Sequence, residues 1–131
     1  MGNTDYKLTF SCLPDILAIS RLEADAPIPL WALAGEFTSF TRTVDELSIV
    51  CRSGNVPTGV RCEKGYKSIK VDGPLDFAST GIVASITTVL AHAGISILTV
   101  STFDTDYILI KEDQMEKAVQ ALLQAGHDWR P

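Results

Sequence analysis

Two polar segments of the chain carry groups that could bind charges of opposite sign. The first precedes an apolar stretch with helical spacing and consists of Ser79, Thr80, Gly81 and Ile82. A turn that opens a helix presents free backbone N–H groups to an anion, and Gly81 lacks a side chain that would block a ligand. In the second segment, Asp104 and Asp106 supply negative charge for a cation, and Phe103 could cover an aliphatic stem. These residues predict a site for a small molecule with both charges.

The same residues also fit purely structural roles. Ser79 and Thr80 are typical helix N-cap residues, and Asp76, Asp104 and Asp106 have side chains that favour turns. Function therefore depends on whether the two segments meet at one edge of the fold.

Catalytic and metal chemistry is not supported by the spacing of the reactive side chains. The three cysteines are an odd count without close pairing, which argues against a disulfide framework. His92 and His127 are expected near the C-terminal ends of helices, where a cation suits the helix dipole. Neither histidine lies in a motif with a cysteine or an acidic partner, and a thiol nucleophile at Cys51 or Cys62 has no evident base. We therefore expect a non-catalytic protein without a metal or cofactor.

Charge and hydropathy restrict the partners. The net charge is −5, and the lysines and arginines are scattered, whereas proteins that bind nucleic acids usually carry a basic stripe. No apolar stretch approaches the roughly 20 residues of a membrane span. The first ten residues show no basic region followed by an apolar run, so no signal peptide is indicated. These features predict a cytoplasmic protein with reduced thiols that binds neither nucleic acid nor membrane.

The C-terminal half has a clear pattern of elements. Apolar periodicity predicts, in order, strand 66–72, helix 81–93, strand 95–102, strand 107–110 and a final helix that ends at Gly126. Asp113 and Glu116 have the spacing of a capping box for that last helix.

The N-terminal half is less regular. Strands are predicted at 7–12, 16–22, 36–43 and 46–52, and a short helix at 29–33 begins with proline. A linker near Glu63-Lys64-Gly65 would separate two domains, residues 1–64 and 65–131.

A weak internal repeat links the two halves. Shifted by 60 residues, FTRTVDELSIV (40–50) falls on VSTFDTDYILI (100–110), so that polar turns and apolar second strands coincide. Only residues 127–131 follow the last helix, and they are too few and too polar for a closing strand. Either the C-terminal sheet has three strands, or residues 7–12 complete it.

The segment TGIVASITTVLAHAGISILTVSTFDTDYILI (80–110) resembles ACT domains, the amino-acid-binding regulatory units of aspartate kinases. GPLDF (73–77) and DELSIV (45–50) are similar to small tandem-ACT bacterial proteins related to cytosolic arginine sensors. The resemblance implies an α+β, ferredoxin-like βαββαβ fold, with two ACT-like units in tandem and helices on one face of antiparallel sheets.

In such proteins the effector lies between ACT units, at the loop after the first strand and the end of the second strand. The resemblance therefore implies a site at 76–81 and 99–106. This site includes Asp76 and Thr102 in addition to the residues of the two polar segments. It implies an amino acid ligand, and the acidic hairpin favours a basic one. It also implies a homodimer that signals to an unknown protein target. The alternative is a dimerisation or protein-interaction module without a ligand.

Overall fold

The computed structural model describes residues 7–72 and 81–131, which divide into two compact units. The C-terminal unit comprises residues 1–13 and 68–131, and the N-terminal unit comprises residues 14–67. The strands and helices follow in chain order: β1 (Thr9–Cys12), β2 (Leu17–Leu22), β3 (Ser39–Arg42), β4 (Leu47–Arg52), β5 (Arg61–Val71), α1 (Ile82–His92), β6 (Ile97–Ser101), β7 (Asp106–Lys111), α2 (Met115–Gln124) and β8 (Asp128–Trp129).

The sheet of the C-terminal unit has the strand order β6-β7-β5-β1-β8. The prediction that residues 7–12 complete this sheet is confirmed, since β1 pairs antiparallel with β5 through Phe10 opposite Val71. The prediction that residues 127–131 form no strand is wrong. β8 pairs parallel with β1, and the N–H of Arg130 bonds to the carbonyl of Phe10 at 2.7 Å. Trp129 packs against the core, which anchors this short polar segment.

Two helices cover the core of the C-terminal unit. Ile82, Ile86 and Leu90 recur every four residues, so one face of α1 is buried, and α2 buries Ala118 and Leu122 in the same way. The predicted capping box is wrong: a 3-10 turn, Glu112–Gln114, leads into α2, and the Gln114 side chain makes no capping hydrogen bond. The twelve residues of this core are Leu8, Phe10, Ile69, Val71, Ile82, Ile86, Leu90, Ile95, Ile108, Ile110, Ala118 and Leu122.

The N-terminal unit has the strand order β3-β4-β2-β5, and all of its strand pairs are antiparallel. Its connections contain only single 3-10 turns, Leu30–Ala32 and Ser53–Asn55. Pro29 occupies the N-cap of the first turn, and the prolines at 27 and 29 exclude a regular helix before it. Six fully or largely buried residues form the core: Ala18, Ala32, Leu47, Ile49, Cys51 and Val56.

Strand β5 passes through the position of the predicted linker, so that prediction is wrong. On β5, two residues lie between Glu63 and Tyr66, whereas only one lies between their partners Ile19 and Leu17 on β2. Gly65 accommodates the extra residue of this bulge with φ of +86°. The units divide at Lys67, three residues after the predicted boundary, and residues 1–13 belong to the C-terminal unit.

The hairpins β3–β4 and β6–β7 share one loop design. Arg42 pairs with Leu47 and Ser101 with Asp106, so each loop has four residues and the offset between them is 59, where the sequence suggested 60. The loops read Thr43-Val44-Asp45-Glu46 and Thr102-Phe103-Asp104-Thr105. In both, the first threonine hydroxyl accepts a hydrogen bond from the N–H of the fourth residue, at 3.2 and 3.3 Å. The internal repeat is therefore clearest at these two loops.

Candidate functional site

The loop of hairpin β6–β7 is fixed to the end of β5. The hydroxyl of Thr105, which is 4% exposed, donates a hydrogen bond of 2.6 Å to the carbonyl of Val71. Val71 is the last residue of β5, from which the chain continues toward α1. The hairpin loop and the start of the β5–α1 connection therefore lie at the same edge of the C-terminal unit.

The acidic residues of this hairpin differ in their surroundings. The Asp106 carboxylate is half-buried and accepts a hydrogen bond of 2.6 Å from the hydroxyl of Ser101, which fixes its orientation. Asp104 and Phe103 lie on the loop itself and are exposed, Phe103 by 79%. The Thr102 hydroxyl bonds to both backbone groups of Thr105, so its contacts are those of a turn residue.

The predicted anion-binding segment is described in part. Gly81 is the exposed N-cap residue of α1, with φ of +81°, a backbone conformation that favours glycine. Ile82 is 8% exposed and its side chain belongs to the core, so only its backbone could contact a ligand. Asp76, Ser79 and Thr80 lie outside the described residues.

An ion pair that the sequence analysis did not predict lies at the end of β5. The guanidinium of Arg130 contacts the carboxylate of Asp72. The backbone N–H of Asp72 bonds to the carbonyl of Thr9 at 2.8 Å. The residues were missed because the C-terminal segment was judged too polar for structure. The pair ties the segment after β8 to the residue that follows β5.

His127 was predicted to act as a cation at the end of a helix, but the structure gives it a different role. Its Nδ1 accepts a hydrogen bond of 3.1 Å from the N–H of Leu8, and its ring meets Phe10 edge to face at 5.4 Å. Nδ1 can accept only when it carries no proton. Burial lowers the pKa of His127, while Asp128 opposes this shift. The neutral imidazole thus stabilises the contact between residues 8–10 and the segment after α2.

The cysteines and the acidic residues support no catalytic or metal centre in the described part of the chain. None of the three cysteines forms a disulfide, and burial, together with the nearby Cys62, raises the pKa of the Cys51 thiol. A thiol held in its protonated form is a poor nucleophile. Across residues 7–72 and 81–131, no group of histidine, cysteine, aspartate and glutamate side chains has the arrangement of a metal site. No helix in these ranges is long and apolar enough to cross a membrane.

A shallow cleft of about 250 Å³ lies within the N-terminal unit, on strands β2, β4 and β5. Its lining consists of Ile19, Ser20, Arg21, Glu46, Ser48, Arg61, Cys62 and Glu63. The cleft was not predicted, because its charged residues come from two strands and a hairpin loop that are distant in sequence. Only the segment Arg61-Cys62-Glu63 alternates charged and apolar residues, and that signal covers one strand of the cleft.

Two family models match the chain, one mainly in each unit. A model of the ACT domain matches residues 61–124, and a model of an N-terminal domain matches residues 15–59. A search of curated proteins gives no match.

Solved structures share the fold. A protein from Agobacterium tumefaciens is 42% identical, with a TM-score of 0.90 over 95% of this chain and 93% of its own. A Vibrio cholerae protein of unknown function, described as a possible transport protein, is 18% identical, with a TM-score of 0.75 over 92% of this chain and 91% of its own.

The regulatory subunit of aspartate kinase from Thermus thermophilus, in its ligand-free form, is 15% identical. It has a TM-score of 0.59 over 85% of this chain and 93% of its own. The ACT-domain match on residues 61–124 agrees with the two helices and the mixed sheet, and with the fold shared with the aspartate kinase regulatory subunit. The chain is an ACT-like protein with an α+β, ferredoxin-like fold.

Proposed function

We propose that this protein is a non-catalytic regulatory module that binds an amino acid at the hairpin end of its C-terminal unit. The observation that carries the proposal is the hydrogen bond from Thr105 to Val71, which holds the acidic hairpin beside the start of the β5–α1 connection. A zwitterion needs an anion site and a cation site within a few ångströms. Backbone N–H groups at the start of α1 serve the carboxylate, and the hairpin serves the ammonium.

The charge of the hairpin narrows the ligand class. Asp106 is oriented by Ser101, and Asp104 adds a second carboxylate to the same loop. Two carboxylates exceed what one ammonium group requires, so a basic amino acid is the proposed effector. Phe103 would cover the aliphatic part of its side chain.

In the proposed assembly, each chain carries two ACT-like units in tandem and pairs with a second copy. The N-terminal unit repeats the hairpin loop, and its strands follow the order of a βαββαβ unit with 3-10 turns in place of helices. A second copy of the chain would supply the ACT unit that completes the binding site at an interface between ACT units. The effector would then shift a conformational or oligomeric equilibrium that a protein target senses. Three cysteines without a disulfide fit a cytoplasmic location.

A thermal-shift screen of the full chain against the twenty amino acids tests this function. A ligand at about a hundred times its dissociation constant adds roughly 2.7 kcal/mol of stability, which raises the melting temperature. We expect a hit that is lost in Asp104→Asn and Asp106→Asn. Asp45→Asn is the matched control, because Asp45 occupies the equivalent loop position in the N-terminal unit.

A second candidate function is a protein-interaction module without a ligand. It is favoured by exposed apolar side chains around the first 3-10 turn of the N-terminal unit, where Ile28 is 45%, Leu30 83% and Leu33 54% exposed. If no amino acid at millimolar concentration changes the melting temperature, this function replaces the first. Leu30→Ser would then weaken self-association or partner binding in sedimentation measurements.

A further inference from the structure

The cleft of the N-terminal unit is built by one row of side chains across three strands. In the register of the sheet, Arg21 on β2 lies opposite both Ser48 on β4 and Arg61 on β5. Residues in register on neighbouring strands project to the same face and stand about 4.8 Å apart. The row therefore presents a hydroxyl and two guanidinium groups side by side.

The two arginines of this row repel each other unless a group of opposite charge lies beside them. Like charges directly opposite each other on a sheet destabilise the strand pair. Arg21 is held in place by Glu23, at 3.3 Å, and by the carbonyl of Asp45, at 2.9 Å. Arg61 is exposed and makes no ion pair with a residue that the structure describes. A guanidinium has five N–H donors, so the pair retains donors for a shared anion.

Two carboxylates and an apolar surface complete the lining. Glu63 follows Arg61 by two residues and therefore lies on the same face of β5, and Glu46 precedes Ser48 by two residues. Ile19 on β2 is half-buried and lies opposite Glu63. The four charged side chains sum to zero, which suits a ligand with both charges better than a simple anion.

The geometry points to a second ligand site, in this cleft, for a free α-amino acid. The ligand's carboxylate would lie on Arg21, Arg61 and Ser48, its ammonium group toward Glu63 or Glu46, and its side chain over Ile19. A cleft of about 250 Å³ equals the volume of about eight waters and is below the roughly 300–1,000 Å³ of sites for drug-sized ligands. All of the lining residues belong to the N-terminal unit, so the site does not depend on the proposed hairpin site.

Amide NMR of the isotope-labelled full chain, titrated with each of the twenty amino acids, tests the second site. We expect at least one amino acid to shift the amide signals of residues 19–21, 46–48 and 61–63 together. Arg61→Gln should weaken that binding about tenfold or more, since a charge-assisted contact is lost. Arg42→Gln is the matched control, because Arg42 is an exposed arginine of the same unit outside the cleft. It should leave the affinity unchanged.

Propionate has a carboxylate but no ammonium group, so it tests the arginine contacts of the cleft separately from the glutamate contacts. We expect Glu63→Gln to weaken binding of the amino acid and to leave binding of propionate unchanged or stronger. The second site is overturned if amide shifts are confined to residues 81–82 and 101–106, or if Arg61→Gln and Arg42→Gln bind equally well. Asp104→Asn should leave the cleft signals unchanged, so the two sites can fail independently.

Discussion

The two hairpins of the chain have the same four-residue loop but different surroundings. In the N-terminal unit the loop is followed by Leu47, which is 1% exposed and belongs to the core. In the C-terminal unit the equivalent residue is Asp106, which accepts a hydrogen bond from Ser101. The fourth loop residue also differs: Glu46 lines the cleft, whereas the Thr105 hydroxyl bonds to Val71.

The helical layer is the larger difference between the units. Two helices of 11 and 10 residues cover twelve buried core residues in the C-terminal unit. Single 3-10 turns cover a core of six in the N-terminal unit. The hairpin loop and the order of the first three strands, β3-β4-β2 and β6-β7-β5, therefore recur in both units while the covering layer differs. The polar residues of the candidate sites, such as Asp106 and Glu46, lie at hairpin positions outside the buried cores.

The largest expected effect compares the two cores directly. Ile49 and Ile108 are equivalent in the hairpins and are 0% and 1% exposed. Replacing either with alanine should cost roughly 2–5 kcal/mol, and the cost depends on how far the surroundings collapse into the cavity. We expect Ile108→Ala to cost more, because two helices and the sheet hold its neighbours. Urea unfolding measures both, and equal costs would contradict the importance of the helical layer.

The anchored loop should show the next largest effect. Thr105→Val keeps the shape of the side chain but leaves the buried carbonyl of Val71 without its donor, at a cost of about 1–2 kcal/mol. The control Thr99→Val changes an exposed threonine on β6 and should be within about 0.5 kcal/mol of the parent. Thermal unfolding of the two variants measures this contribution. Indistinguishable melting temperatures would show that the hydrogen bond from Thr105 to Val71 does not stabilise the fold.

Acidification should affect the C-terminal unit through His127. Its pKa is lowered from 6.5 in the folded state, so the unfolded state binds the proton more readily. The stability it contributes is complete above pH 6.5 and is lost as the pH falls through the lowered folded pKa. His127→Asn keeps an acceptor near the Nδ1 position without a titration in this range. Urea unfolding between about pH 7.5 and 5 should show a shallower loss of stability for the variant. Parallel pH profiles would contradict the assignment.

The smallest effect on stability is expected at the loop tips. Val44 and Phe103 are equivalent and are 93% and 79% exposed, so replacing either with serine should change stability by less than about 0.5 kcal/mol. Their effect on ligand-induced stabilisation should differ. Phe103→Ser is expected to reduce the thermal shift given by an amino acid, and Val44→Ser is not. Equal thermal shifts in both variants would remove Phe103 from the proposed site.

Sequence reasoning predicted the elements with strong periodicity. The helices and the two hairpins follow from apolar spacing, which burial enforces. The role of residues 7–12 in the C-terminal sheet was instead one of two alternatives left by counting strands. It failed at Glu63-Lys64-Gly65 because a charged segment with glycine resembles a linker, although here it is a bulge within a long strand. It failed at Asp128–Trp129 because backbone pairing with β1 has no sequence signal of its own.

The candidate sites were predictable to different degrees. The acidic hairpin was identified because its residues are adjacent in sequence, so local composition is enough to reveal it. The hydrogen bonds of Thr105 and Ser101 depend on tertiary contacts, as do the neutral state of His127 and its bond to Leu8. The cleft row of Ser48, Arg21 and Arg61 depends on strand register, which a single sequence does not specify.

The pairing of β1 with both β5 and β8 has a consequence for the order of folding during synthesis. Residues 14–67 form a unit that is continuous in sequence, so all of its contacts become available once that stretch has left the ribosome. Residues 8–10, made earlier, bond to residues 127–130, which are made more than a hundred residues later. Contacts of such long sequence separation form slowly, because a long loop must close first. Until then Phe10, fully buried in the finished protein, has no complete core to enter, and the nascent chain exposes a surface that a chaperone can bind.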